Sequence, residues 1–558
     1  MSSPAASLPA PLVATADRIR RAQRIALSIR PAYVLGGLIL AQWLGMLALA
    51  LSVRHNGWLY YAGGDQLWHY SGAYLLAHGH LPPSYVGYGW SVLLAPLAAV
   101  AGPNLVSALP GIVLLNTLIL LPVALFCVYD ISARVVGRLF GYFAAGLWIA
   151  LPYLGILFVE PGYHQKYTEL TLPQLVGLTS VPDFPAMVAL LAAAALCVRA
   201  LDARTWHHAA AAGLATGASI AIKPSNAIWL VTPFVLLLVE RRRALLPYAA
   251  GLAPALLTLA LWKYRGLGEL AATPAEPVRV AAGVTDLFNR INGTELNSWG
   301  HLREVLDSLR EHFWVARVME WLPVAGSIAF LLRARRGFLL VGTWFIAYLL
   351  TKGTYLPASV EDASFWRIMM PAFPAFLILA ASVVLLVPGV RARPPESVPA
   401  RRSRRFAIAV GAAAVAFMIV PLVVIAATPR LHDAGHQAVR FGDNLIPVAP
   451  VGLQAAAKGD TVTLSWRWQR PTGSSVFYRL LRVTGSDGDV SCAGKSAPAS
   501  DDCELFMDSV TATVVPNVVD HPGHGTWTYR IGVAANWLND PSLGDVYVVS
   551  PPVRVTVP

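Results

Sequence analysis

Runs of about 20 apolar residues, separated by short arginine clusters, dominate the chain as far as Ala427. A helical residue adds about 1.5 Å, so a run of that length crosses a hydrocarbon core of about 30 Å. The first run, Ala32–Val53, follows Arg18, Arg20, Arg21, Arg24 and Arg30. Those cations should hold the preceding segment in the cytoplasm. The run is longer than a signal-peptide core and no clear cleavage site follows it, so it reads as a retained span. Composition agrees. Hydrophobic residues make up 56% of the 558 and charged residues 13%, with a mean hydropathy of +0.55. A soluble domain carries about 25% charged residues.

Eleven segments are expected to span, at about 32–53, 106–128, 139–158, 184–201, 207–222, 226–239, 244–264, 317–333, 337–351, 367–388 and 406–427. Segments 207–222 and 226–239 are short and flank Lys223-Pro224-Ser225. That tripeptide reads either as a sharp turn or as a break within one helix. Trp90–Ala101 is apolar but too short to span, and should lie at the interface or against the bundle. The net charge of +12 comes mostly from arginine. The arginines gather between apolar runs rather than along one stripe, a topology signal and not a nucleic-acid surface. With the N-terminus inside, Arg134 and Arg138, Arg199 and Arg204, Arg241–Arg243, Arg333–Arg336 and the cluster from Arg391 to Arg405 all fall on one side. An odd number of spans then leaves the C-terminus outside. The outer pieces are loops 54–105, 159–183, 265–316 and 352–366 and the tail. The protein is expected in the inner or plasma membrane.

After Ala427 the chain alternates apolar and polar residues with frequent turns. Strands are expected at Val462–Trp466, Tyr478–Val483, Trp527–Val533 and Val546–Val557, which points to an all-β sandwich. The order Ala449-Pro450, Gly452-Leu453, Val462–Trp466, Tyr478, then Tyr529 and Val533 resembles a fibronectin type III domain, with Trp466 as its core tryptophan. The expected divisions are a basic cytoplasmic N-terminus (1–31), a membrane domain (32–427), a linker (428–446) and the β-domain (447–558). Cys492 and Cys503 flank a Gly/Ser/Pro-rich stretch, and an oxidising compartment would favour a disulfide between them. Cys127 and Cys197 fall in spans, as packing residues.

Within the first outer loop, Asp65 sits in Tyr60-Tyr61-Ala62-Gly63-Gly64-Asp65-Gln66-Leu67-Trp68-His69-Tyr70. The order of a first span, Gly63-Gly64-Asp65, the stretch Tyr70–His80, Gly87-Tyr88-Gly89-Trp90 and Ala95-Pro96-Leu97 resembles the opening of membrane glycosyltransferases of the GT-C type. The resemblance is greatest to the branch of protein mannosyltransferases and aminoarabinose transferases. Many of those carry two adjacent acidic residues where this chain has Asp65-Gln66. The resemblance implies a polyprenyl-phosphate-linked sugar as donor and Asp65 as general base. Transfer to a hydroxyl needs a proton acceptor, and a positioned carboxylate contributes about 10²–10⁴-fold. The same residue also suits the N-cap of a helix starting near Gln66.

His69 lies one helical turn beyond Asp65, where it would tune that carboxylate, contact phosphate or rest as a solvated interface histidine. Glu160, His164 and Asp183 of the second outer loop are candidates to complete a pocket, although a loop carboxylate is the simpler reading of Glu160. Arg367, Lys223 and Lys352 are candidates for the donor phosphate, arginine being suited to bidentate contact. The alternatives for Arg367 are snorkelling to headgroups and pairing with Glu361 or Asp362. No P-loop or metal-ligand spacing appears in the chain, so the lipid-linked donor is the expected co-reactant, and whether a divalent metal assists is left open by the sequence. The acceptor would be an envelope glycan, lipid or protein. The competing function is a transporter or flippase of a lipid-linked glycan, which predicts broken helices or midplane charges.

Overall fold

The computed structural model describes residues 27–52, 64–79, 81–82, 84, 86–102, 105–164, 167–168, 171–267, 298–361, 364–388, 390–393, 404–428, 451–467, 476–484, 503–511, 517–535, 548–549 and 552–558. Up to Thr428 these residues are almost entirely helical. Hydrocarbon offers no partner to a peptide group, so an apolar segment closes its hydrogen bonds within itself. The helices are α1 (Pro31–Ser52), α2 (Gly64–Ala77), α3 (Tyr88–Ala101), α4 (105–135), α5 (Arg138–Ile156), α6 (Asp183–Ala203) and α7 (Trp206–Ile222). They continue as α8 (224–241), α9 (Leu245–Leu267), α10 (Trp299–His312), α11 (Ala316–Arg333), α12 (335–352), α13 (364–386) and α14 (404–427).

Among the described residues, six stretches are long and apolar enough to cross a bilayer: Pro31–Ala48, Ser107–Val135, Arg138–Ile156, Asp183–Ala203, Pro224–Arg265 and Ser364–Leu386. By length and composition this is a multi-pass membrane protein. Each of the eleven expected segments overlaps a helix, but α7, α11, α12 and α14 fall outside those six stretches. The stretch Pro224–Arg265 holds two helices, α8 and α9. Eleven spans therefore remains an expectation.

The arginine-rich connections meet at one end of the bundle. Asp130 accepts from Arg134 at 3.0 Å and from Arg199 at 2.8 Å. Asp202 accepts from Arg134 and from Arg336, both at 2.9 Å. Arg241 donates to the carbonyl of Ala200 at 2.6 Å, and the Arg393 amide to that of Val136 at 2.6 Å. Clusters far apart in sequence thus share one end, as consecutive antiparallel helices require.

The segment around Lys223 is a turn. Asn226 bonds Ser219, and Trp229 bonds Thr216. As the chain advances on one side it retreats on the other, so α7 and α8 run antiparallel. In one continuous helix residues 219 and 226 would lie about 10 Å apart along the axis. Pro224 suits the turn, since it opens the 3₁₀ stretch Pro224–Leu230 without needing a donor.

α3 is the short apolar segment that packs instead of spanning. Tyr88, Trp90 and Leu94 are buried, and the helix lies across the end of α7. A Cβ on Gly87 would overlap the Ala221 carbonyl oxygen, and one on Gly89 would stand 2.7 Å from the Ile222 nitrogen. Only glycine admits backbones this close. Trp262 and Lys263 of α9 donate to the carbonyls of Val86 (2.9 Å) and Ser84 (2.6 Å), fixing the chain that leads into α3.

The C-terminal residues include eight strands: β1 (Val451–Lys458), β2 (Thr461–Arg467), β3 (Val476–Thr484), β4 (Cys503–Thr511), β5 (Asn517–Asp520), β6 (Gly525–Ala535), β7 (Val548–Val549) and β8 (Val553–Val557). One sheet has the order β1-β2-β5; the other has β4-β3-β6-β7, with β8 also on β6. All pairs are antiparallel. Along β2, Val462 and Leu464 are buried and Thr463 is exposed, the alternation of a strand with one covered face. Trp466 departs from expectation. It shares the covered face of β2 with Val462 and Leu464, but near the end of the strand it is only half-buried. Tyr529, fully buried, is the large aromatic core residue here, its hydroxyl bonded to Asp520 at 2.7 Å. Cys503 opens β4, but Cys492 lies outside the described residues.

Candidate functional site

At the end of the bundle opposite the arginines, three helices bring ionised groups together. Asp183 is the first residue of α6 and is fully buried. Lys223, just after α7, donates to one of its carboxylate oxygens. Arg367, in the first turn of α13, reaches the other at 3.4 Å. The two cations remain 23% and 18% exposed, so their edges face outward while the carboxylate does not. A buried carboxylate is tolerated when it is paired, and two cations on one acid leave the cluster net positive. Each side chain had been a separate candidate in the sequence, 40 and 184 positions apart. Arg367 pairs with Asp183.

α3 sits beside this cluster, its Gly89 and the preceding Gly87 touching the last residues of α7 before Lys223. Trp90 donates to the carbonyl of Ser180 at 2.9 Å, three residues before Asp183. Packed on α3 is α2, where Ser91 bonds the His69 carbonyl at 3.0 Å. Asp65 is the second residue of α2. The helix already includes Gly64, so Asp65 falls within its first turn and not at the residue that caps a helix starting near Gln66. The side chain of Asp65 lies outside the described residues. His69 is buried and not the solvated histidine expected for a loop, because α2 turns that face onto the bundle.

The remaining candidates divide between two places. Glu160 and Glu361 join a second cluster around His312, the last residue of α10. His312 Nδ1 lies 2.6 Å from Glu160 and Nε2 lies 2.7 Å from Glu361. Ser308 adds a bond to Glu361 at 2.8 Å. The imidazole stacks on Tyr163 at 4.4 Å, and Trp366 donates to the Tyr163 hydroxyl at 3.0 Å. Burial works against the charged ring, but the bonds and charges of Glu361 and Glu160 outweigh it and hold the His312 pKa above its ordinary value. His164 is exposed and bonds the Val159 carbonyl at 3.0 Å, away from Asp183. Lys352 stands over the Tyr355 ring at 5.0 Å. Asp362 lies outside the described residues.

Sequence reasoning missed His312 and Tyr163. The only signal for His312 was its place at the end of an amphipathic stretch, and a histidine there is most often solvated. Among the described residues no group of three or more His, Cys, Asp or Glu side chains could hold a metal ion.

Fold and site together define a multi-pass membrane protein with a buried carboxylate gathering two cations at one end of its helices. No family model matches the chain, and no curated protein is similar to it in sequence. Among solved structures it is similar to the Archaeoglobus fulgidus oligosaccharyltransferase in the apo form, at 13% identity and a TM-score of 0.41, over 72% of this chain and 56% of that one. It is also similar to the archaeal oligosaccharyltransferase AglB from Archaeoglobus fulgidus in complex with an inhibitory peptide and a dolichol-phosphate. There the identity is 14% and the TM-score 0.38, over 71% of this chain and 55% of that one. The chain spans little more than half the length of those proteins. Likeness this partial decides neither fold family nor activity.

Proposed function

We propose that this protein is a GT-C-type membrane glycosyltransferase that moves a sugar from a polyprenyl-phosphate donor to an envelope glycan, lipid or protein at the extracytoplasmic face. The observation that carries the reading is the meeting of Lys223 and Arg367 on Asp183, at the end of the bundle opposite the arginine clusters. A phosphate at the membrane surface needs cations of this kind, and arginine offers it two parallel donors. The positive-inside rule makes the arginine end cytoplasmic and the cation pair extracytoplasmic.

In this reading Lys223 and Arg367 hold the donor phosphate, with Lys352 available from the end of α12. Asp65 takes the proton from the acceptor hydroxyl as the glycosidic bond forms, and the phosphate leaves with the bonding pair stabilised by the two cations. His69 belongs to the surrounding wall, whereas Glu160 and Glu361 serve the separate His312 cluster. The C-terminal strands form a fibronectin type III-like domain that holds acceptor or cell wall; their division between a three-stranded and a larger antiparallel sheet supports this. The transporter reading loses its main feature, since the interruption at Lys223 is a turn between antiparallel helices and not a broken span.

The test is transfer from radiolabelled polyprenyl-phosphate sugars to envelope acceptors by the purified full chain. Transfer by the wild type, with loss in Asp65→Asn, supports the reading. No transfer from any such donor, but uptake of a lipid-linked glycan by proteoliposomes, would replace it with transport.

A further inference from the structure

Beneath Lys223 lies a chain of buried polar groups that the transfer chemistry does not use. Asn226, Ser219 and Tyr348 are all essentially inaccessible. The Asn226 amide nitrogen donates to the Ser219 hydroxyl at 2.8 Å, and its oxygen accepts from the Tyr348 hydroxyl at 3.0 Å. Ser219 in turn donates to the Ala186 carbonyl at 2.8 Å. The chain therefore ties α7 to α6 on one side and to α12 on the other.

We infer that Asn226 is a positioning residue that sets the Lys223 amine against Asp183. The inference rests on the reading of Lys223 as a phosphate contact. Ser219 lies one helical turn before Lys223, whose amide bonds the Ser219 carbonyl at 2.9 Å. Ala186 lies one turn after Asp183, on the other side of the ion pair. The Asn226–Ser219–Ala186 bonds thus clamp both partners from the turn below. Within the α7–α8 turn the Asn226 backbone N–H also donates to the Lys223 carbonyl at 2.9 Å, a bond that any residue but proline supplies. An apolar side chain would also be cheaper in a membrane domain. The carboxamide is therefore there for its two directed bonds, which fix the rotation of α6, α7 and α12 about Lys223. Polar side chains between membrane helices act in this way.

The experiment is a binding cycle on the full chain in nanodiscs, with polyprenyl phosphate as probe and melting temperature followed in parallel. Lys223→Met should raise the Kd for polyprenyl phosphate. Asn226→Leu should raise it about tenfold, equivalent to about 1.4 kcal/mol, while the variant still melts cooperatively. Asn226→Leu added to Lys223→Met should have no further effect, because the asparagine acts through the lysine. Tyr348→Phe, which removes one hydroxyl, should give a smaller rise and serves if Asn226→Leu does not fold. An unchanged Kd in both Asn226→Leu and Tyr348→Phe overturns the inference. So does a penalty that adds in full to that of Lys223→Met. An unchanged Kd in Lys223→Met overturns instead the phosphate reading on which it rests.

Discussion

Lys223 closes on the fully buried carboxylate of Asp183 from a helix end 40 positions away. Neither residue is where a membrane domain would leave a charge by default. Their pairing offsets the cost of burying Asp183, and Arg367 completes it from a third helix.

Removing the acid should cost stability as well as function. Asp183→Ala leaves two partly buried cations facing each other. Breaking such a pair from one side costs about 3 kcal/mol, so the melting temperature should fall clearly. Lys223→Met and Arg367→Met should instead raise the donor KM while the protein melts closer to the wild type. Equal melting temperatures for Asp183→Ala and the wild type would show that the acid carries no such load.

Asp65→Asn should cut transfer by about 10²–10⁴-fold and leave melting unchanged, since the amide keeps the shape but cannot take the proton. Single-turnover transfer with saturating donor is the measurement. Full activity in the variant would remove Asp65 from the chemistry.

Gly87→Ala should destabilise the bundle by about 1–3 kcal/mol, because the new methyl meets the Ala221 carbonyl at the end of α7. Gly36→Ala in α1 has open space around it and serves as the control. Thermal unfolding in the same detergent distinguishes them. Matching melting temperatures would mean that α3 yields at no cost.

His312 gives the protein a pH dependence of known sign. Its pKa is raised in the folded state by Glu361 and Glu160 against the opposing effect of burial. Its contribution is therefore fully present below the ordinary histidine pKa of about 6.5 and is lost as pH rises through the higher folded value. The melting temperature of the wild type should exceed that of His312→Gln by most at about pH 5, with the gap closing by about pH 9. A gap that widens with pH would reverse the assignment.

The positions of the helices were legible in the sequence because a membrane span is a local property, set by about 20 consecutive apolar residues. The arginine clusters likewise told which connections share an end, since helices that cross and return must alternate. Lys223, Arg367 and Asp183 could each be named as candidates, for an ionised side chain in an apolar chain is conspicuous. The strand positions around Val462, Tyr478 and Tyr529 were also visible as period-two alternation, another local signal.

Which of these groups meet was decided only in three dimensions. The sequence left Lys223-Pro224-Ser225 open between a turn and a broken helix, and bonds from Asn226 and Trp229 to α7 make it a turn. It left the partners of Arg367 open, and the folded chain brings the arginine to Asp183 and Glu361 to His312. It placed Trp466 in the core, but the tryptophan lies near the end of the face that Val462 and Leu464 fill and is only half-buried. Hydropathy is summed along a segment and survives without knowledge of the fold. A contact between side chains depends on helix rotation and packing, and those follow from all the neighbours at once.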